Sequence, residues 1–305
     1  MTHAFTALWD NYRKNKAIYW MALPVLLYYL LFKYVPMYGA VIAFKDYTVT
    51  KGIWESEWVG LANFKDFFES YYFWRLLRNT LLLSFYQLIF GFPAPIILAL
   101  LLNELRQRMF KSVVQTISYL PHFISLIVIC GMIVDFTSRE GVVNAIIQFF
   151  GGEPKSLLND PAHFRTIYTV SQVWQEIGFS SIIFLAALGA INPEIYDAAK
   201  VDGAGRFRQM LNVTLPGIMP MIVILLILRV GGLMEIGFEK VILLYNPNTY
   251  DTADVISSFI YRKGISEAAE FSYTTAVGLF QAVINFILLF GANHLSRTIS
   301  DHKLF

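Results

Sequence analysis

Two apolar stretches of this chain carry side chains able to bind a solute. Gln172, Trp174, Gln175, Glu176 and Phe179 stand in one, Arg229 and Glu235 in the other. Carboxamides and carboxylates exchange hydrogen bonds with hydroxyl-rich partners, and a guanidinium donates to anions. A polar group inside an apolar helix is costly unless it faces a cavity or another polar group. These residues therefore either line a path or cross-link helices, and Gln87, Ser180, Gln281 and Asn285 pose the same choice. Arg229 could simply neutralise Glu176 or Glu235. Bond-breaking chemistry is poorly served. On one continuous helix His122 and Asp135 would lie roughly 20 Å apart, too far for an acid–base pair. His122 is expected to pack or hydrogen-bond, and Asp135 to be solvated. No catalytic residue and no metal-ligand spacing is expected. The single cysteine, Cys130, excludes an internal disulfide and a multi-thiolate site.

The elements that must hold these groups are membrane helices. The chain is 56% hydrophobic and 15% charged, with a mean hydropathy of +0.52, whereas soluble domains carry about 25% charged residues. A net charge of +2 gives no electrostatic case for a nucleic-acid partner. Six stretches reach the roughly 20 residues a span needs: 17–43, 80–102, 113–134, 167–190, 218–237 and 273–295. Pro24 and Pro36 predict a kink or break in the first, and Gly91, Pro93 and Pro95 weaken the second. The run after Arg13, Lys14 and Lys16 is too long for a cleavable leader. Basic residues are denser in the loops holding Arg106, Arg108, Lys111, Lys200, Arg206, Arg208, Arg297 and Lys303, which predicts both termini on the cytoplasmic side. The expected divisions are an inner segment 1–16, a first span with an aromatic outer loop 17–79, a core of five spans 80–295, and an inner tail 296–305. The aromatic loop, with Trp54, Trp58 and Trp74 among others, reads as an interfacial belt or a docking surface for an external partner.

The inner loop 192–216 is the most informative segment. Asn192 is a good N-cap and Pro193 suits the first helical position. The helix so begun reaches about Val201, where Asp202-Gly203 stops it. A second short stretch follows from Ala204 to Asn212, and Pro216 opens the fifth span. Ile195, Ala198 and Ala199 share one face, small enough to enter a groove on another protein. Two short helices joined tightly to two spans form a lever that would transmit force to them. An ordinary re-entry loop is the plainer alternative.

This loop resembles the EAA loop of binding-protein-dependent importer permeases: Glu-Ala-Ala, three residues, Gly, nine residues, Ile, one residue, Leu-Pro. Here Asp197-Ala198-Ala199 precedes Gly203 by three residues, and Val213, Thr214 and Leu215-Pro216 follow after nine. Asp for Glu and Val for Ile are the departures. Asp202-Gly203-Ala204 is similar to the carbohydrate branch. Phe32–Tyr47, Asn79–Phe85, Tyr119–Ser125 and the tail ending at Phe305 resemble the LplB/YteP-type polysaccharide and oligosaccharide permeases.

The resemblance implies an all-α membrane protein with the type I ABC importer (MetI-like) fold, six spans, and N-in/C-in topology in a bacterial cytoplasmic membrane. It implies a heterodimer with a second permease subunit, two copies of a cytoplasmic ATPase, and an external solute-binding protein. Glu194, Asp197, Ala198, Ala199, Asp202, Gly203, Ala204, Leu215 and Pro216 would couple to the ATPase. The chain has no Gly-x4-Gly-Lys-Ser/Thr loop, so ATP and Mg would be bound by that partner. The family places its sugar site on core helices matching the stretch of Gln172, Gln175, Glu176 and Phe179. Sugars use amide and carboxylate hydrogen bonds with aromatic stacking, and Arg229 could then attract an acidic sugar such as a uronate. An ion-coupled secondary transporter is the competing expectation. It would show inverted repeats and midplane ion ligands, neither of which is evident.

Overall fold

The computed structural model describes residues 14–267 and 269–299, the last five as backbone alone. Arg13, Lys303 and the tail ending at Phe305 lie outside the described residues, as does the side chain of Arg297. In chain order the main helices are α1 (Lys16–Phe44), α2 (Tyr72–Glu104), α3 (Arg108–Phe123), α4 (Leu126–Thr137), α5 (Pro161–Gly189), α6 (Pro193–Val201), α7 (Arg206–Gly231), α8 (Phe238–Leu244), α9 (Ile256–Tyr261) and α10 (Phe271–Ile299). Four of these, α1, α2, α7 and α10, are long and apolar enough to cross a membrane, and two bent pairs raise the number to as many as six. A two-residue antiparallel ribbon pairs Lys45 with Trp58 and Asp46 with Glu57.

Proline shapes three of these helices without breaking them. A wide π turn precedes Pro36 at Leu30–Tyr34, Pro93 at Gln87–Gly91, and Pro216 at Met210–Thr214. Proline lacks an N–H and its ring crowds the preceding turn; one widened turn relieves both problems while the helix continues. Consequently α7 begins at Arg206 and Pro216 lies within it, where the sequence suggested a separate stretch ending at Asn212. Similarly, α2 starts at Tyr72, ahead of the expected Thr80.

The third expected span is not one straight helix. The run from Arg108 to Phe149 bends by 101°. Pro121 lies in a tight 3₁₀ turn, Leu120–Phe123, and Ile124 is extended before Ser125 opens α4. An unbroken apolar window hid this corner.

Packing is uneven. Leu83, Ile129, Phe164, Val241 and Val255 belong to one buried cluster. Phe67, Phe73, Leu76, Met234, Phe259 and Val277 form another, so part of the aromatic loop is core, while Trp54, Trp58 and Trp74 stay exposed. Ile96, Phe184, Leu188 and Ile218 join α2, α5 and α7 near loop 192–205. By contrast α1 buries no residue before Ala43; only its last turns, Tyr38–Phe44, pack against α10.

Candidate functional site

Four helices enclose a half-open cleft of about 730 Å³. Gln172, Glu176, Phe179 and Ser180 enter from α5, at the three- and four-residue spacing that shares one helix face. Gln87 enters from α2, His122 from the last turn of α3, and Arg229 from α7. His122 Nδ1 lies 3.1 Å from Glu176 Oε2, and its ring stacks on Phe179 at 3.8 Å between centroids. The histidine is thus a hydrogen-bonding and packing residue, as expected. Gly178 permits the arrangement: a Cβ there would lie 2.0 Å from the Ser118 carbonyl oxygen, so α3 rests directly on the α5 backbone.

A smaller chamber of about 100 Å³ adjoins the cleft. Gln87, Gln172 and Arg229 border both spaces and form the neck between them. Glu235 lines the chamber. It stands beyond the end of α7, after a turn at Gly232, whereas the apolar window had placed it within a span. Its carboxylate accepts from Asn285 Nδ2 at 3.2 Å. Arg229 is exposed, and among the described residues it makes neither an ion pair nor a hydrogen bond. A direct ion pair with Glu176 or Glu235, one of the alternatives the sequence left open, is therefore not made, although both carboxylates line the same two spaces.

Two other candidate path residues lie elsewhere. Trp174 is on the opposite face of α5, about 200° from Gln172 at 100° per residue, in an apolar pocket with Met132 and Phe136. Gln175 is buried, and its Oε1 accepts from Lys240 Nζ at 3.2 Å. Lys240 also donates to Gln172 Oε1 at 3.0 Å. It is 3% exposed, and burial pulls its ammonium down to about 8, against the opposing pull of Cys130 and Glu176. Nothing marked Lys240 in the sequence, because its short helix reads as an ordinary outer loop.

The loop 192–216 forms an elbow on one face of the molecule. Asn192 Oδ1 accepts from the Glu194 amide at 3.0 Å, capping α6, which turns 70° from α5. No residue of α6 is buried. Glu194, Asp197, Ala198, Asp202 and Gly203 are exposed, Ala199 and Ala204 half-buried. Gly203 has φ +74°, a left-handed conformation suited to glycine. The elbow is braced against α7: Tyr196 donates to Thr214 at 3.1 Å, Gln209 to the Ala204 carbonyl at 2.7 Å, and Ile191 packs where a Gly217 side chain would stand. Leu215 is half-buried and Pro216 exposed, one turn below.

On the opposite face a buried ionic knot ties three elements. Asp254, fully buried, accepts from Arg262 at 2.6 Å, from Ser258 at 2.8 Å and from Arg75 at 3.4 Å. Burial alone would lower Arg262, but the hydrogen bond and charge of Asp254 outweigh it and hold the guanidinium above its ordinary value. Asn79 bonds the Asp251 and Asp254 carbonyls and accepts from Arg165 at 2.8 Å. The knot fixes the N-terminal ends of α2 and α5 to the segment between α7 and α10.

Residues 91–301 match the family model described as binding-protein-dependent transport system inner membrane component. Protein LplB of Bacillus subtilis is 48% identical over 96% of this chain and 92% of its own length. The polygalacturonan/rhamnogalacturonan transport system permease protein YteP of the same organism is 46% identical, over 96% and 91%. Among solved structures, a bacterial alginate ABC transporter in complex with an alginate pentasaccharide-bound periplasmic protein has a chain 43% identical to this one. It superposes with a TM-score of 0.89 over 97% of this chain and 99% of that one.

Proposed function

This chain belongs to the family of binding-protein-dependent transport inner-membrane components, and from that premise we propose that it translocates uronate-containing oligosaccharides as one permease subunit of an ATP-driven importer. As in its relatives, the chain is a membrane-embedded sugar permease and not an enzyme; the ATPase is a separate subunit.

The proposed assembly is a heterodimer with a second permease, two copies of the ATPase holding ATP and Mg, and an external solute-binding protein. Six spans are proposed, namely the four long helices, the bent α3–α4 pair and α5, with both termini and the elbow in the cytoplasm. The unburied α6 docks on the ATPase through Glu194, Asp197, Ala198, Ala199, Asp202, Gly203 and Ala204. Bracing at Tyr196, Gln209 and Gly217 passes its displacement to α5 and α7 through Leu215 and Pro216. The cleft opens alternately to either side.

The observation that carries the substrate reading is Arg229. An exposed guanidinium with no internal carboxylate partner, at the neck of a cleft, is a receptor for a carboxylate from outside the chain. In the same cleft Ser180 offers a hydroxyl, and the stacked Phe179–His122 pair an aromatic wall. Of the relatives named above, one is described as a polygalacturonan/rhamnogalacturonan transport permease and another as an alginate transporter, which agrees with this chemistry.

The complete importer in proteoliposomes should take up a galacturonate trisaccharide only with ATP. Arg229→Ala should reduce that uptake about tenfold or more, the loss of a charge-assisted hydrogen bond, while sparing a neutral trisaccharide. Equal losses for both sugars would refute the carboxylate role. Uptake driven by an ion gradient without the ATPase would favour a secondary transporter instead.

A further inference from the structure

Gln87 sits where the π turn of α2 bulges into the neck. Its side chain is almost wholly enclosed, at 6% exposure, yet its Nε2 is buried without a hydrogen-bond partner. Among the described residues its carboxamide makes no hydrogen bond at all, so exchanging the amide's oxygen and nitrogen leaves the conclusion unchanged. Native interiors rarely leave such a group unsatisfied, because desolvating it unpaired costs about 1–3 kcal/mol. The other two residues of the neck differ. Gln172 is fixed by Lys240, and Arg229 is exposed.

Two more observations converge on Gln87. It opens the wide turn Gln87–Gly91 that accommodates Pro93. Its amide also lies over Gly91, where a Cβ would approach Gln87 Oε1 to 2.7 Å. The missing side chain at Gly91 is the space the amide occupies.

We infer that Gln87 is a specificity-determining residue whose carboxamide hydrogen-bonds an oxygen of the sugar as it passes between chamber and cleft, held at that angle by the gap above Gly91. The inference rests on the reading of the cleft as the solute path. At the neck a carboxylate sugar would meet Arg229 and Gln87 together, giving one anion two donors from different helices.

The test uses the complete importer in proteoliposomes, with a galacturonate trisaccharide and its methyl ester as probes. Gln87→Ala should raise the KM for the acid about tenfold, the value of one hydrogen bond to an ionised group, with the maximal rate little changed. Gln87→Glu keeps the shape but adds a negative charge, and should depress uptake of the acid more than that of the ester. That shift in preference is not expected of a purely structural residue. Gly91→Ala leaves Gln87 present but displaces its amide, and should reproduce the higher KM. Ser180→Trp fills the cleft and tests the underlying reading: normal uptake by that variant removes the path and the inference with it. If Ser180→Trp blocks uptake while the Gln87 variants retain the original KM and acid-to-ester ratio, the path stands and the role of Gln87 is overturned. Should Gln87→Ala fail to assemble, Gly91→Ala decides, and an unchanged KM there overturns the inference.

Discussion

Replacing Gly178 by alanine should uncouple the corner after α3 from the cleft. The added Cβ would lie 2.0 Å from the Ser118 carbonyl oxygen, 2.3 Å from its carbon and 2.8 Å from the Tyr119 nitrogen. All three are backbone atoms, so no rotamer change relieves the clash. Ordinary contact begins at 3.4 Å, and α3 must retreat by about 1.4 Å to reach it. That displacement carries His122 with it. The 3.1 Å contact to Glu176 would lengthen to about 4.5 Å, beyond any hydrogen bond, and the stack on Phe179 would open. Overpacking of this kind destabilises by about 1–3 kcal/mol, a fall of at most roughly 2–12 °C in Tm at about 2–4 °C per kcal/mol, the figure for somewhat shorter chains. The matched control is Gly189→Ala in the same helix, where a Cβ meets nothing within 4 Å. Thermal unfolding of the purified complex and uptake should both separate the two variants. If Gly178→Ala melts with Gly189→Ala and transports normally, the close approach of α3 to α5 is not a constraint.

Asp254→Asn should cost about 3–5 kcal/mol, because it leaves the buried Arg262 facing a neutral amide, while the half-buried Arg75 keeps Asp251; a denaturant titration showing less than about 1 kcal/mol would contradict the knot's structural role. Gly203→Pro cannot adopt φ +74° and should abolish transport while the protein still inserts. Ala199→Trp should do the same by blocking docking of α6, and normal uptake by either variant would argue against the elbow as the coupling point. Tyr196→Phe removes the brace to Thr214; it should lower transport per ATP hydrolysed more than it lowers Tm, and a change in Tm alone would assign the bond to stability.

The elbow was legible because its signals are local. An N-cap, a proline, a glycine stop and a small-residue face are read within a dozen or so positions, and Asn192, Gly203 and the α6 face stand where their chemistry put them. The polar face of α5 was half legible. Helical spacing groups Gln172, Glu176 and Phe179, and the same arithmetic could have excluded Trp174. What the sequence hid depends on distant partners. Lys240 acquires its role only because α8 folds back against α5. Gln87 is notable for a bond it lacks. The 101° corner lies in an unbroken apolar run whose only marks are Pro121 and Ser125. The break expected at Pro36 is one widened turn, the weakened ladder expected near Pro93 takes the same form, and Pro24 sits in regular helix.

The isolation of α1 from Lys16 to Met37 separates two properties usually linked in a membrane protein. Its apolar side chains hold the N-terminal region in the bilayer by transfer free energy alone, and they add almost no interior contact to the other helices. Anchorage and folding are thus controlled by different stretches of chain. Shortening α1 should weaken retention in the lipid without loosening the remaining helices, whose buried clusters contain no α1 residue.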